Sequence, residues 1–195
     1  MKRTLVVLTM ATIVATSFGL SQTQQGAWEF SVSGGFASYF VKTESSGHTS
    51  EGASENLFSL LLRPGYFVIE GLEIEPEIFW GAATGEPPSF SFSGNLSYNY
   101  LVPGSRVALF ALAGYGVGNG IPILERMVGR SSDSFDITLL NLGAGTKIFV
   151  TKAVAFRAEY RYQMYKHDAS GGSTSTTTTT LNFHNAYLGI SVFLP

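Results

Sequence analysis

The sequence predicts an all-β protein: an eight-stranded antiparallel up-and-down β-barrel that crosses a membrane. Three observations lead there. Eight segments, each about ten residues or longer, alternate apolar and polar side chains with a period of two, the signature of strands with one greasy and one polar face. Charged residues make up only 13% of the chain while aromatics make up another 13%. That is about half the charge of an ordinary soluble domain, too little for a solvated outer surface. No segment holds the roughly 18 uninterrupted apolar residues of a spanning helix, so strands must do the crossing.

The chain opens with Lys2 and Arg3, then the short apolar stretch Leu5 to Ala15, then small residues at Ser17, Gly19 and Ser21. This is the layout of a secretory signal peptide over residues 1–21, cleaved after Gly19 or Ser21, with the barrel domain over 22–195. There is no cysteine, so neither a lipidated N-terminal cysteine nor a disulfide framework is available. The formal charge of −2 excludes a nucleic-acid binder. Basic leader, missing cysteines and strand pattern together point to a Gram-negative envelope.

The strands follow in order. Residues 27–41 set Trp28, Phe30, Val32, Phe36 and Phe40 against Glu29, Ser31, Ser33 and Ala37. Residues 57–69 set Leu60, Leu62, Tyr66 and Val68 against Ser59, Arg63, Gly65 and Phe67, and Pro64 predicts a bulge or a broken ladder there. In residues 72–83, Leu72, Ile74, Ile78, Trp80 and Ala82 oppose Glu73, Glu75, Glu77 and Phe79. Residues 90–101 form a near-perfect aromatic/small-polar repeat from Phe90 to Tyr100. The fifth and sixth strands, 106–118 and 135–150, carry Leu109, Ala111, Tyr115, Leu142 and Ile148 on one face and Phe110, Leu112, Asn141, Lys147 and Phe149 on the other. The seventh, 153–165, is the clearest: Phe156, Tyr160, Tyr162 and Met164 against Arg157, Glu159, Arg161 and Gln163. The eighth, 182–194, ends Phe193-Leu194-Pro195. Tight connections at Glu70-Gly71, Pro103-Gly104 and Thr151-Lys152 alternate with long ones at about 43–55, 84–89, 119–134 and 167–180, giving one plain and one decorated rim.

With Leu-Asn-Leu-Gly-Ala-Gly-Thr-Lys at 140–147, Val-Ala-Phe-Arg-Ala-Glu-Tyr-Arg-Tyr at 154–162 and Tyr-Leu-Gly-Ile-Ser-Val-Phe-Leu at 187–194, the chain resembles the eight-stranded outer-membrane barrels of the OmpA/OmpX type. The resemblance implies an outer-membrane location among lipids and lipopolysaccharide, with periplasmic chaperones and the barrel assembly machinery as partners during biogenesis. It implies no cofactor and leaves the extracellular partner unspecified. Such families usually end on an aromatic residue, and here either Leu194 takes that place or Phe193 serves.

Chemistry has few places to reside. Strand seven stands opposite strand three in such a barrel, so Arg157 and Arg161 are expected to meet Glu73, Glu75 and Glu77 across the lumen. Glu159, Arg63 and Lys147 join them as an ion-pair network that fills a narrow interior. Acid–base work by these glutamates is the less favoured reading. His48-Thr49-Ser50-Glu51 sits in an expected loop, where adjacency is not triad geometry. His167 and His184 lie near the decorated rim without enough partners for a metal. The Gly-x-Gly runs at 114–116 and 143–145 fall mid-strand, which excludes a phosphate loop and points to room for bulky neighbours. Gly171 to Thr180 reads as a mobile extracellular tip. The favoured function is therefore a non-enzymatic barrel whose loops carry surface interaction. An outer-membrane lipid-modifying enzyme is one alternative. A soluble lipocalin-like binder, with the arginines outward and aromatics inward, is the other.

Overall fold

The computed structural model describes residues 23–45, 48–83, 88–119, 137–171 and 175–195. The signal peptide expected at 1–21, the connection at 84–87 and residues 120–134 of the third long connection lie outside them. Eight strands run in chain order: β1 (Trp28–Ser45), β2 (His48–Ile69), β3 (Leu72–Ala83), β4 (Ser89–Leu101), β5 (Val107–Gly118), β6 (Ile137–Phe149), β7 (Val154–Gly171) and β8 (Ser175–Leu194). Each pairs antiparallel with its neighbours, and β1 with β8 closes the barrel. Closure leaves no lipid-exposed backbone edge in the wall, which is what the bilayer interior demands.

The short connections are built as tight turns. Gly71 and Gly104 have φ of 77° and 71°, a backbone region costly for any residue with a Cβ. The start of β1, the end of β8 and all three tight turns share one rim. Just before β1, the Thr23 carbonyl accepts from the Gly71 amide at 2.9 Å and the Ala27 carbonyl from the Phe67 amide at 3.0 Å, tying the chain's entry to β2 and its turn.

The alternation sorts the wall as its period requires. Trp28, Phe30, Phe92, Tyr98 and Tyr160 are exposed on the outside, and Trp80 and Tyr162 share that face half-exposed. Arg63, Glu73, Glu75, Glu77, Lys147, Arg157, Glu159 and Arg161 are all buried inside. This overturns the soluble alternative, which required the reverse arrangement.

Two expectations need correction. Residues 43–55 and 167–180 are not loops in their described parts: β1 and β2 continue to Ser45 and from His48, and β7 and β8 to Gly171 and from Ser175. His48 to Glu51 therefore belongs to a strand, and the Thr176–Thr180 run pairs with Ser170–Lys166. Polar composition suggested loops, but threonine is β-branched and favours strands when a partner strand is present. Pairing of β1 with β8 stops at Gly35↔Tyr187, and that of β2 with β3 at Leu57↔Ala83. Beyond those levels β1–β2 and β7–β8 continue as two-stranded ribbons past the closed barrel.

At Pro64 the β1–β2 register runs on unshifted. On the other side, pairing with β3 lapses between Leu62↔Ile78 and Tyr66↔Ile74 and resumes in the same register. The cause is that Pro64 would face Pro76, and neither has an N–H to donate. The ladder is broken without a bulge; the register shift lies farther on, between Phe67 and Ile69.

Candidate functional site: a filled lumen

Inward-facing side chains stack in layers along the barrel axis. At the short-turn end, Ala27, Phe67, Ala108, Phe149, Ala155 and Phe193 form an apolar layer. At the other end, Leu61, Phe79, Ile137, Leu139, Tyr165 and Tyr187 form a second, with Phe183 packed against it. Between them lie the charges.

Arg157, on β7, reaches across to β3 and holds Glu75 with both terminal guanidinium nitrogens, at 3.1 and 3.0 Å. It also donates to Glu29 at 3.3 Å and to Glu159 at 3.1 Å, and its guanidinium lies 4.3 Å from the centre of the Phe110 ring. Two inward positions farther along β7, Arg161 grips Glu77 at 2.8 and 2.7 Å and donates to Glu159 at 2.6 Å. Arg63 enters from β2, donating to Glu159 at 2.6 Å and to the Ser33 hydroxyl at 2.5 Å. Glu159 thus accepts from three arginines. Lys147, from β6, bonds Glu29 at 2.5 Å and Glu73 at 3.1 Å, with its ammonium over the rings of Phe67, Phe110 and Phe193. Charge-assisted and bidentate bonds of this kind are the strong ones, and the fixed fork of arginine suits the Arg157–Glu75 crossing, where two nitrogens meet two oxygens.

Above the ion pairs sits an amide layer. The Gln163 amide donates to Asn141 at 2.9 Å, and its carbonyl accepts from Asn185 at 2.7 Å and from the Tyr187 hydroxyl at 3.1 Å. Asn141 continues to Ser93 and Asn95, both at 3.2 Å. The glycines of β5 and β6 make this filling possible. A Cβ at Gly145 would stand 2.6 Å from the Phe110 ring, and one at Gly114 would collide with the Asn95 amide.

Sequence reasoning did not include Glu29 among the network residues, although the alternation of β1 places it on the inner face. It accepts from Lys147, from Arg157 and, at 2.6 Å, from the Ser191 hydroxyl. Nor did it assemble the two apolar layers: single inward aromatics such as Phe67 and Phe193 carry no signal that they meet. Phe193 is buried in the lower layer, 5.1 Å from Phe149 between ring centres, so it does not face the membrane. Leu194 does, half-exposed and paired with Trp28.

The histidines separate. His184 is exposed on the outer wall, its ring nitrogen 2.6 Å from the Tyr160 hydroxyl and its ring 5.3 Å from that of Tyr162. The ladder positions Tyr162↔His184 and His167↔Thr179 lie five rows apart, about 17 Å along the strands. Among the described residues no group of histidines and carboxylates is arranged to hold a metal ion.

Two apolar layers with paired charges between them fill the described interior, so an open ion path is not expected. Planar-bilayer recordings of the purified protein should show no steady conductance. Stable, large openings would mean that the layers part in the membrane.

The fold and its interior define a small, filled, membrane-spanning β-barrel. The model of the outer membrane protein beta-barrel domain matches residues 10–192, and the chain belongs to that family; it is a protein of the outer membrane. Solved structures similar to it include two small barrels. Neisserial surface protein A (NspA) is 19% identical with a TM-score of 0.56, the alignment covering 86% of this chain and 97% of that one. The N-terminal β-barrel domain of Pseudomonas aeruginosa OprF is 18% identical with a TM-score of 0.53, covering 87% and 98%. At such identities the likeness concerns the fold. No curated protein sequence matches the chain.

Proposed function

We propose that this protein is a non-enzymatic surface scaffold: a barrel that anchors two extended hairpins, β1–β2 and β7–β8, and presents them for recognition outside the cell. The observation that carries this reading is the division of labour along the strands. Where all eight strands close, the interior is given over to ion pairs and apolar layers. Among the described residues, β1, β2, β7 and β8 are the strands that continue well past that level. Recognition on a rigid scaffold usually sits in the segments that project from it. The lumen network Glu73, Glu75, Glu77, Arg63, Lys147, Arg157, Glu159 and Arg161 acts in this reading as structure, holding the wall together from within. Lipopolysaccharide and outer-leaflet lipid surround the upper wall. The assembly machinery, if it reads an outward-facing end of β8, meets Leu194 rather than Phe193.

The hairpins are expected to be open to added protease in intact cells while the barrel survives. Deleting 171–179 should leave heat-modifiable gel migration unchanged, because β8 joins β1 only over residues 187–194. Binding to host or neighbouring-cell surfaces should weaken selectively. Loss of folding in that deletion would show that the ribbon is needed to start β8, and unchanged binding would place recognition elsewhere.

A further inference from the structure

Among the described residues the outer wall carries a hollow that plays no part in recognition by the hairpins. Where Pro64 and Pro76 stand opposite one another, their short rings leave a depression among longer side chains. It is a groove of about 310 Å³ lined by Trp28, Pro64, Tyr66, Ile74 and Pro76, with no polar atom on its surface. Its volume lies at the lower end of the range for small-molecule sites. Three strands frame it: Trp28 of β1 is the ladder partner of Tyr66 of β2, which is the partner of Ile74 of β3. The Trp28 and Tyr66 rings are 5.0 Å apart and wall one side. The groove lies toward the short-turn rim, which in barrels of this kind faces the periplasm, and so opens into the inner leaflet.

We propose that this groove seats one acyl chain of an inner-leaflet phospholipid as a resident lipid, distinct from the freely exchanging lipid around the rest of the wall. Five side chains are too few for a protein partner, whose specific interface takes about 20–30 residues a side. A polar ligand would meet only apolar surface within the groove itself. A linear hydrocarbon needs only shape, and the groove is continuous with the membrane-facing surface that already contacts lipid tails. Lipopolysaccharide, confined to the outer leaflet, is on the wrong side. The occupant would also cover the stretch of the β2–β3 seam where the ladder is interrupted.

The chain has two tryptophans, Trp28 in the groove and Trp80 elsewhere on the outer wall beside Phe58. This allows a direct test. The full-length barrel is extracted from membranes, washed in detergent, and returned to vesicles of phosphatidylethanolamine and phosphatidylglycerol brominated in the acyl chains. In Trp80→Phe, the remaining Trp28 should be quenched slowly as the resident lipid exchanges. In Trp28→Phe, Trp80 should be quenched at once. Phosphorus analysis of the washed protein should find about one phospholipid per barrel. That lipid should be lost in the Pro64→Leu/Pro76→Leu variant, whose side chains match the neighbouring Leu62 and Ile78 and fill the groove. Equal, immediate quenching of both tryptophans, or the same phosphorus content in the wild type and the filled variant, would overturn the proposal. Should the double variant fail to fold, the two single-tryptophan proteins decide the matter by themselves.

Discussion

Replacing Arg157 with alanine is expected to destabilise the barrel by about 3–5 kcal/mol, the cost of removing one partner from a buried ion pair. The described lumen holds five carboxylates, Glu29, Glu73, Glu75, Glu77 and Glu159, against four cations, Arg63, Lys147, Arg157 and Arg161. Acid is therefore already in excess, and Arg157→Ala removes a cation that touches three of the five. Glu29 keeps Lys147, and Glu159 keeps Arg63 and Arg161. Glu75 has Arg157 as its ion-pair partner among the described residues and is left charged between two apolar layers. Urea unfolding in lipid vesicles, followed by heat-modifiable migration, measures the loss. Adding Glu75→Gln to Arg157→Ala should recover part of it, because the stranded charge is then removed; non-additivity of this kind identifies a contacting pair. Arg157→Lys should fall between, since lysine keeps the charge but cannot make the two-nitrogen grip. A loss below about 1 kcal/mol, the range of solvated surface pairs, would mean that water reaches the network.

The second large effect is expected at the seam that closes the barrel. Gly189 of β8 pairs with Ser33 of β1, and a Cβ there would collide with the Val32 carbonyl oxygen and stand 2.7 Å from the Ser33 Cα. These are backbone atoms, which cannot rotate away as a side chain can. Gly189→Val should therefore force β1 and β8 apart. Overpacking alone costs about 1–3 kcal/mol, and each backbone group then left unpaired in lipid adds several more. The compact, heat-modifiable form should be lost or should appear only at reduced yield. Gly94→Ala provides the control. Nothing lies within 4 Å of a Cβ at that outward position, so the change should be neutral or stabilise by up to about 1 kcal/mol. Equal effects of the two substitutions would show that strand propensity, and not closure, governs these sites.

The sequence by itself determined which side of each strand meets lipid and which meets the lumen, because alternation is a local property with a period of two. The segment from Phe156 to Met164 sorts its side chains with no knowledge of any other strand. The tight turns were equally local, carried by Gly71 and Gly104. What only the tertiary structure decided is which inward side chains meet, since that depends on the tilt and stagger of strands around the barrel. Hence Glu29 joins Lys147 and Arg157 from strands 118 and 128 residues away along the chain, and Phe67, Phe149 and Phe193 gather into one layer. The lengths of the two tall hairpins were also a tertiary outcome: the threonines of β8 look like loop in isolation and become strand by pairing with β7. The groove over Pro64 and Pro76 belongs to the same class. Each proline is visible in the sequence, but the hollow exists only because the register sets them face to face.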